Sequence, residues 1–147
     1  MYTGFRHLHS YFAYLLLAAL VFSIVYVIVQ MVKKKPFTET VRKVSLIGLI
    51  ASHLQLLFGL VLYFISPRGL SAFSGEMSEV MGDSLTRLYA LEHPLMMIIA
   101  IVLITIGYSK AKKPGDDVRR FKTILLFYIL GLIFMLSRIP WDAWPAL

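Results

Sequence analysis

Cysteine is absent from the chain. That removes disulfides, thiolate catalysis, cysteine-ligated iron–sulfur clusters and covalent c-type haem attachment in one step. Charge is sparse at 16% of residues, and acids are the scarcer sign: eight Asp and Glu against fifteen Lys and Arg, a formal charge of +7. There is no phosphate-binding glycine loop, no internal repeat and no low-complexity tract. No carboxylate falls in the middle of an apolar run.

What is abundant is apolar surface. Hydrophobic residues make up 59% of the chain and the mean hydropathy is +0.75, against roughly 45–50% apolar residues in a soluble domain. The 147 residues are one domain's length. Four apolar runs use nearly all of them: about 5–32, 44–65, 88–108 and 121–136. Each holds at or near the roughly 20 residues that cross about 30 Å of hydrocarbon. The expected fold is therefore all-α, a four-span transmembrane bundle over residues 1–147. The first run is too long for a secretory signal. No small-residue cleavage site follows it, and Lys33, Lys34 and Lys35 cap its far end.

The basic residues lie in blocks between the apolar runs, as the positive-inside rule expects and nucleic-acid binding does not require. The first loop region carries Lys33, Lys34, Lys35, Arg42 and Lys43, and the third carries Lys110, Lys112, Lys113, Arg119, Arg120 and Lys122. The other side has only Arg6, Arg68, Arg87 and Arg138, together with Glu76, Glu79, Asp83, Glu92 and Asp142. This asymmetry predicts both termini on the periplasmic side of a bacterial inner membrane. Trp141, Trp144, Tyr2, Phe5, Tyr11 and Phe12 suit that interface. The segment Pro67 to Ser84 reads as a turn-rich connection, with Leu70, Phe73, Met77, Val80 and Met81 spaced for a short surface helix.

Buried polar side chains are costly in lipid, so chemistry is sought there. All four histidines lie in or at the ends of spans. His9 falls about 6 Å inside the outer end of span one, and His93 about 8 Å inside that of span three. Those spans run in the same direction, so the two imidazoles share a level. His53 is deeper, roughly 18 Å along span two. Steps of 4, 3, 4, 3 from His9 reach Ala13, Leu16, Leu20 and Ser23; from His93 they reach Met97, Ala100, Ile104 and Gly107. Each histidine heads a seam containing small residues. His7 points about 200° away from His9, on the side of Tyr11, Tyr14 and Ala18. In span two the small and polar stripe is Gly48, Ser52, Gln55 and Gly59, with His53 about 130° off its centre. Span four offers Tyr128, Gly131, Met135 and Arg138, whose guanidinium would meet an anionic group near the histidine level. Imidazole is a good iron ligand in a helix bundle, and His9 with His93 is the expected pair. His53 and His7 are the runners-up. The bland readings are a helix–helix hydrogen bond for His53, a headgroup contact for His7 and a snorkelling side chain for Arg138. Pro94 predicts a kink or a helix start at His93.

Three stretches carry a family resemblance. His9-Ser10-Tyr11-Phe12-Ala13-Tyr14 before a Leu/Ala run is similar to the first ligand helix in one half of haem A synthase. Ala51-Ser52-His53-Leu54-Gln55-Leu56-Leu57-Phe58-Gly59 resembles that half's next helix, and Leu91-Glu92-His93-Pro94-Leu95 its second ligand helix. The whole chain also resembles the small four-helix bacterial membrane proteins described as cytochrome B. The resemblance implies a haem b held by His9 and His93 near the outer face; Gln55 and Gly59 on the matching second stretch, and Arg138 from the span-four stripe, are the further expected contacts. It departs from haem A synthase in having one four-helix unit and no acid before His9, so haem oxygenation is not carried over.

Two function classes follow. The first is a bis-histidine b-type cytochrome, an electron carrier rather than a catalyst, embedded in membrane lipids, with quinol or a periplasmic protein as redox partner and no nucleic acid. The second is a haem-free accessory subunit of a larger membrane complex. A proton path through His53, Gln55 and Ser52 is the weakest reading, since no mid-depth carboxylate continues it.

Overall fold

Four helices long and apolar enough to cross a membrane dominate the computed structural model, which describes residues 1–144. The first, α1, is Tyr2–Val32 and the second, α2, is Glu39–Ile65. After a 3-10 turn at Leu70–Ser74 come two short helices, α3 at Met77–Gly82 and α4 at Ser84–Arg87. A π-helical turn, Leu88–Glu92, runs straight into α5, His93–Ala111, and α6 follows at Asp117–Ser137. Among the described residues there is no strand.

The connections explain the order of packing. Lys33 to Thr38 and Lys112 to Asp116 are tight links, so α1 lies against α2 and α5 against α6 as antiparallel pairs. The first link closes with Lys34 in the left-handed region, φ 52°. Lys34 N–H bonds Met31 O and Lys35 N–H bonds Gln30 O, which takes up carbonyls the helix end leaves free. Side-chain oxygens cap the next helices: Thr38 accepts from Val41 N–H and Asp116 from Arg119 N–H. The two pairs then pack α1 on α6 and α2 on α5. Hence α1 and α5, which run in the same direction, face each other across the bundle.

The expected seams are the buried ones. Leu16, Leu20 and Ser23 of α1, Gly48, Ser52 and Gln55 of α2, Ala100, Ile104 and Gly107 of α5, and Tyr128, Gly131 and Met135 of α6 all lie inside. The small residues set the distance between backbones. A Cβ on Gly131 would fall 2.7 Å from Ile104 Cγ1 and 3.1 Å from Ala100 O, and one on Gly107 would fall 2.5 Å from Phe127 Cβ. Most other side chains are apolar and outward, including Leu15, Phe22, Val25, Leu57, Val102 and Ile133. In water such a surface would be an aggregation liability; in lipid it is the solvent-facing face. The chain is a multi-pass membrane protein.

Candidate functional site

The end of the bundle where α1 begins and α6 finishes holds a cavity of about 300 Å³, with walls from all four long helices and from the segment after α6. His9, Gln55, Gly59, His93 and Met97 line it, and so do Pro140 and Trp144 beyond α6. Trp144 ties the chain's far end to α1, its indole N–H donating to Ser10 O at 3.0 Å.

The two expected histidines meet here. Their ring centroids are 6.2 Å apart and their planes stand at 85° to each other. That contact spans the bundle diagonal, from α1 to the first residue of α5. Equal depth on co-directional helices brings it about.

His93 has its own anchor. Its Nδ1 lies 2.8 Å from Arg138 O, and because a carbonyl only accepts, the proton sits on Nδ1. The Nε2 lone pair is left for the cavity side, the arrangement typical of metal-ligating histidines. The helix runs through Pro94 without a break. His93 keeps right-handed helical geometry, φ −62° and ψ −54°, where extended geometry is the usual preference before proline. Proline also offers no N–H to the carbonyl four residues back. That carbonyl, Ala90 O, takes the Tyr63 hydroxyl at 3.0 Å instead.

Arg138 departs from the expectation. The helix ends at Ser137, and Arg138 has left helical geometry (φ −133°), so its side chain no longer follows the Tyr128–Gly131–Met135 stripe. The guanidinium pairs with Glu92 at 3.2 Å. Glu92 also binds Arg87 at 2.9 Å, and Arg87 reaches Met81 O at 2.5 Å. Arg138 thus serves the site through its backbone oxygen. The cations that do line the cavity are Arg6 and Arg68. Neither is ion-paired with a carboxylate among the described residues, and Arg68 lies over the Tyr89 ring at 5.6 Å. Arg6 and Tyr2 are three and seven residues before His9, so the same helical count run backwards would have found them.

His9 is held differently. Its ring rests on Gly59, where a Cβ would come within 3.0 Å of His9 Cε1; glycine leaves the space the imidazole fills. The Gln55 amide donates to His9 O at 2.9 Å and lies 3.5 Å from His9 Nε2. His9 Nδ1 and Gln55 Oε1 are buried without a hydrogen-bond partner.

The remaining histidines stay outside the site. His53 is exposed on the bundle surface, with Nδ1 2.9 Å from Leu49 O and Nε2 3.5 Å from Thr105 Oγ1 of α5. His7 stacks on Tyr11 at 6.2 Å, away from the cavity. Among the described residues no three His, Cys, Asp or Glu side chains converge as they would around a bare ion. Two imidazoles suffice where a macrocycle supplies the iron's other ligands. No family model, curated protein or solved structure matches the chain.

Proposed function

We propose that the protein is a membrane cytochrome that binds haem b between His9 and His93 and passes single electrons at the periplasmic side of a bacterial inner membrane. The observation that carries this is the 6.2 Å separation of the two imidazole centroids across the cavity. Two imidazoles that each gave a nitrogen to one metal ion at roughly 2 Å, with about 1 Å from nitrogen to ring centre, would have centroids up to roughly 6 Å apart. The separation of the histidines supports that reading, as do the small residues Gly59 and Ala13 at the cavity wall.

The surroundings fit the same group. A porphyrin is large, flat and apolar with two carboxylates at one edge. The cavity is mainly apolar, and Arg6 and Arg68, both at its lining, would hold the carboxylates. A neutral quinone would leave those two cations without a counter-charge. Bound there, haem supplies a one-electron couple; the chain's own residues set it. His93 is oriented by Arg138 O, Met97 and Leu16 exclude water, and the outer helix ends hold the charged edge near the aqueous side. The placement outside rests on the charge asymmetry, eleven basic residues flanking the first and third loops against four at the other end.

A reduced-minus-oxidised spectrum of protein purified after growth with ample haem tests the reading. Low-spin b-type bands are expected, lost in the His9→Ala, His93→Ala double variant. A wild-type protein without a Soret band would overturn it and leave the haem-free accessory subunit.

A further inference from the structure

The two histidines are not held alike, and we infer that they are unequal ligands: His93 is the fixed one and His9 the exchangeable one, with Gln55 competing for it. The inference rests on the haem reading above and goes beyond it, since it gives the site a position that a neutral diatomic ligand can take.

An amide nitrogen only donates, so the Gln55 contact with His9 Nε2 requires the lone pair to be on that nitrogen and the proton to be on Nδ1. His9 then has its metal-binding lone pair engaged and its Nδ1–H buried without an acceptor. His93 is the reverse: Nδ1–H is bonded to Arg138 O at 2.8 Å and Nε2 is free. At 3.5 Å the Gln55 contact is at the limit of a hydrogen bond, so a metal displaces it readily. Nothing then holds the His9 ring in place except Gly59 beneath it. Gln55 keeps its grip on His9 O at 2.9 Å and its own Oε1 is buried and unpartnered, so the amide stays beside the vacated position with an idle polar atom. A ligand imidazole with no anchored Nδ1–H is a weaker base and a freer rotor than one that has it.

Carbon monoxide added to the reduced, haem-loaded protein reads the asymmetry. His9→Ala is expected to keep haem, become five-coordinate and bind carbon monoxide at least tenfold more tightly than wild type. His93→Ala is expected to lose haem on purification. Gln55→Leu, which keeps the size and removes the competitor, should weaken carbon monoxide binding several-fold because His9 is released to the iron. Equal haem retention in the two histidine variants, or unchanged carbon monoxide affinity in Gln55→Leu, overturns the inference. If wild type takes no haem at all, the functional reading falls and the asymmetry is judged in the apoprotein by ¹⁵N resonances of labelled histidine. Gln55→Leu should move the His9 nitrogens and leave those of His93 unchanged; identical His9 spectra overturn it there too.

Discussion

At the end that carries the basic loops, the centre of the bundle is filled by Val27, Val41, Phe121, Ile124 and Tyr128, each at most 2% exposed. At the opposite end the same four helices surround His9, His93 and a cavity. Polar groups tie elements together at both ends, but among the described residues only the cavity end has buried ones left over. At the filled end they cross-link helices: Tyr128 donates to Ser45 O at 2.7 Å, Ser23 Oγ is 2.9 Å from Val44 O, Arg42 donates to the Tyr108 hydroxyl at 3.0 Å, and Arg120 lies over Phe37 at 4.0 Å. At the cavity end two polar atoms, His9 Nδ1 and Gln55 Oε1, have no partner. In lipid, unsatisfied polar groups are costly, so one end is built to stay shut and the other to be completed.

Two glycines make the sharpest contrast. Gly131→Leu would drive its side chain into Ile104 and the Ala100 carbonyl, which cannot both retreat. Overpacking of that kind should cost about 3 kcal/mol, read as a lowered unfolding midpoint in detergent. Gly59→Ala puts a methyl against the His9 ring, a side chain that can swing toward the cavity. Its stability should stay within about 1 kcal/mol of wild type, while carbon monoxide affinity of the reduced, haem-loaded protein rises because the imidazole leaves its station. If Gly59→Ala proved as destabilising as Gly131→Leu, the close-packed seam and the cavity wall would not differ in the way described.

Tyr128→Phe gives a smaller effect at the shut end. The hydroxyl is removed, but Ser45 O remains inside a continuous helix, so only the tertiary bond is lost. Buried hydrogen bonds between membrane helices are worth about 1 kcal/mol or less. Thermal unfolding should register that loss without any change in the haem spectrum. A spectral change would mean that the two ends are coupled through α6.

These contrasts were unequally legible in the sequence. Hydropathy located the four helices, because lipid leaves few alternatives to a helix. Helical phase placed Leu20, Ser23, Gln55 and Gly131 inside and His53 outside, since a continuous helix preserves phase over many turns. Co-directional spans of matched depth put His9 and His93 at one level. The failures lie where helices end. Arg138 is one residue past Ser137, and a single non-helical φ turned its side chain from the cavity to Glu92. Pro94 implies a kink or a helix start at His93, and α5 does start there; what no local rule encodes is the π-helical turn at 88–92 before it and the Tyr63 hydroxyl, from another helix, on the freed carbonyl. In the segment 67–84 the expected short helix forms at Met77–Gly82, while Leu70 and Phe73 lie in a separate 3-10 turn. Pairings such as Glu92 with two arginines depend on how loop and helix ends meet in space, which no periodicity encodes.

The smallest expected effect sits on the rim of the open end. Asp83 starts α4 by accepting the Thr86 N–H at 2.7 Å, and hydrogen bonds from Thr86 hold its carboxyl below the usual carboxylate range. With the folded value depressed, the cap contributes fully above the unfolded midpoint of about 3.9 and is lost as pH falls through the lower folded value. The Thr86 amide resonance should therefore titrate with a midpoint under about 3.9, and Asp83→Asn should abolish that titration while keeping the cap. Because the residue is exposed and the helix is four residues long, the cavity spectrum should not respond. A haem spectrum that followed the Asp83 titration would show that the rim, through Arg87 and Glu92, reaches His93 after all.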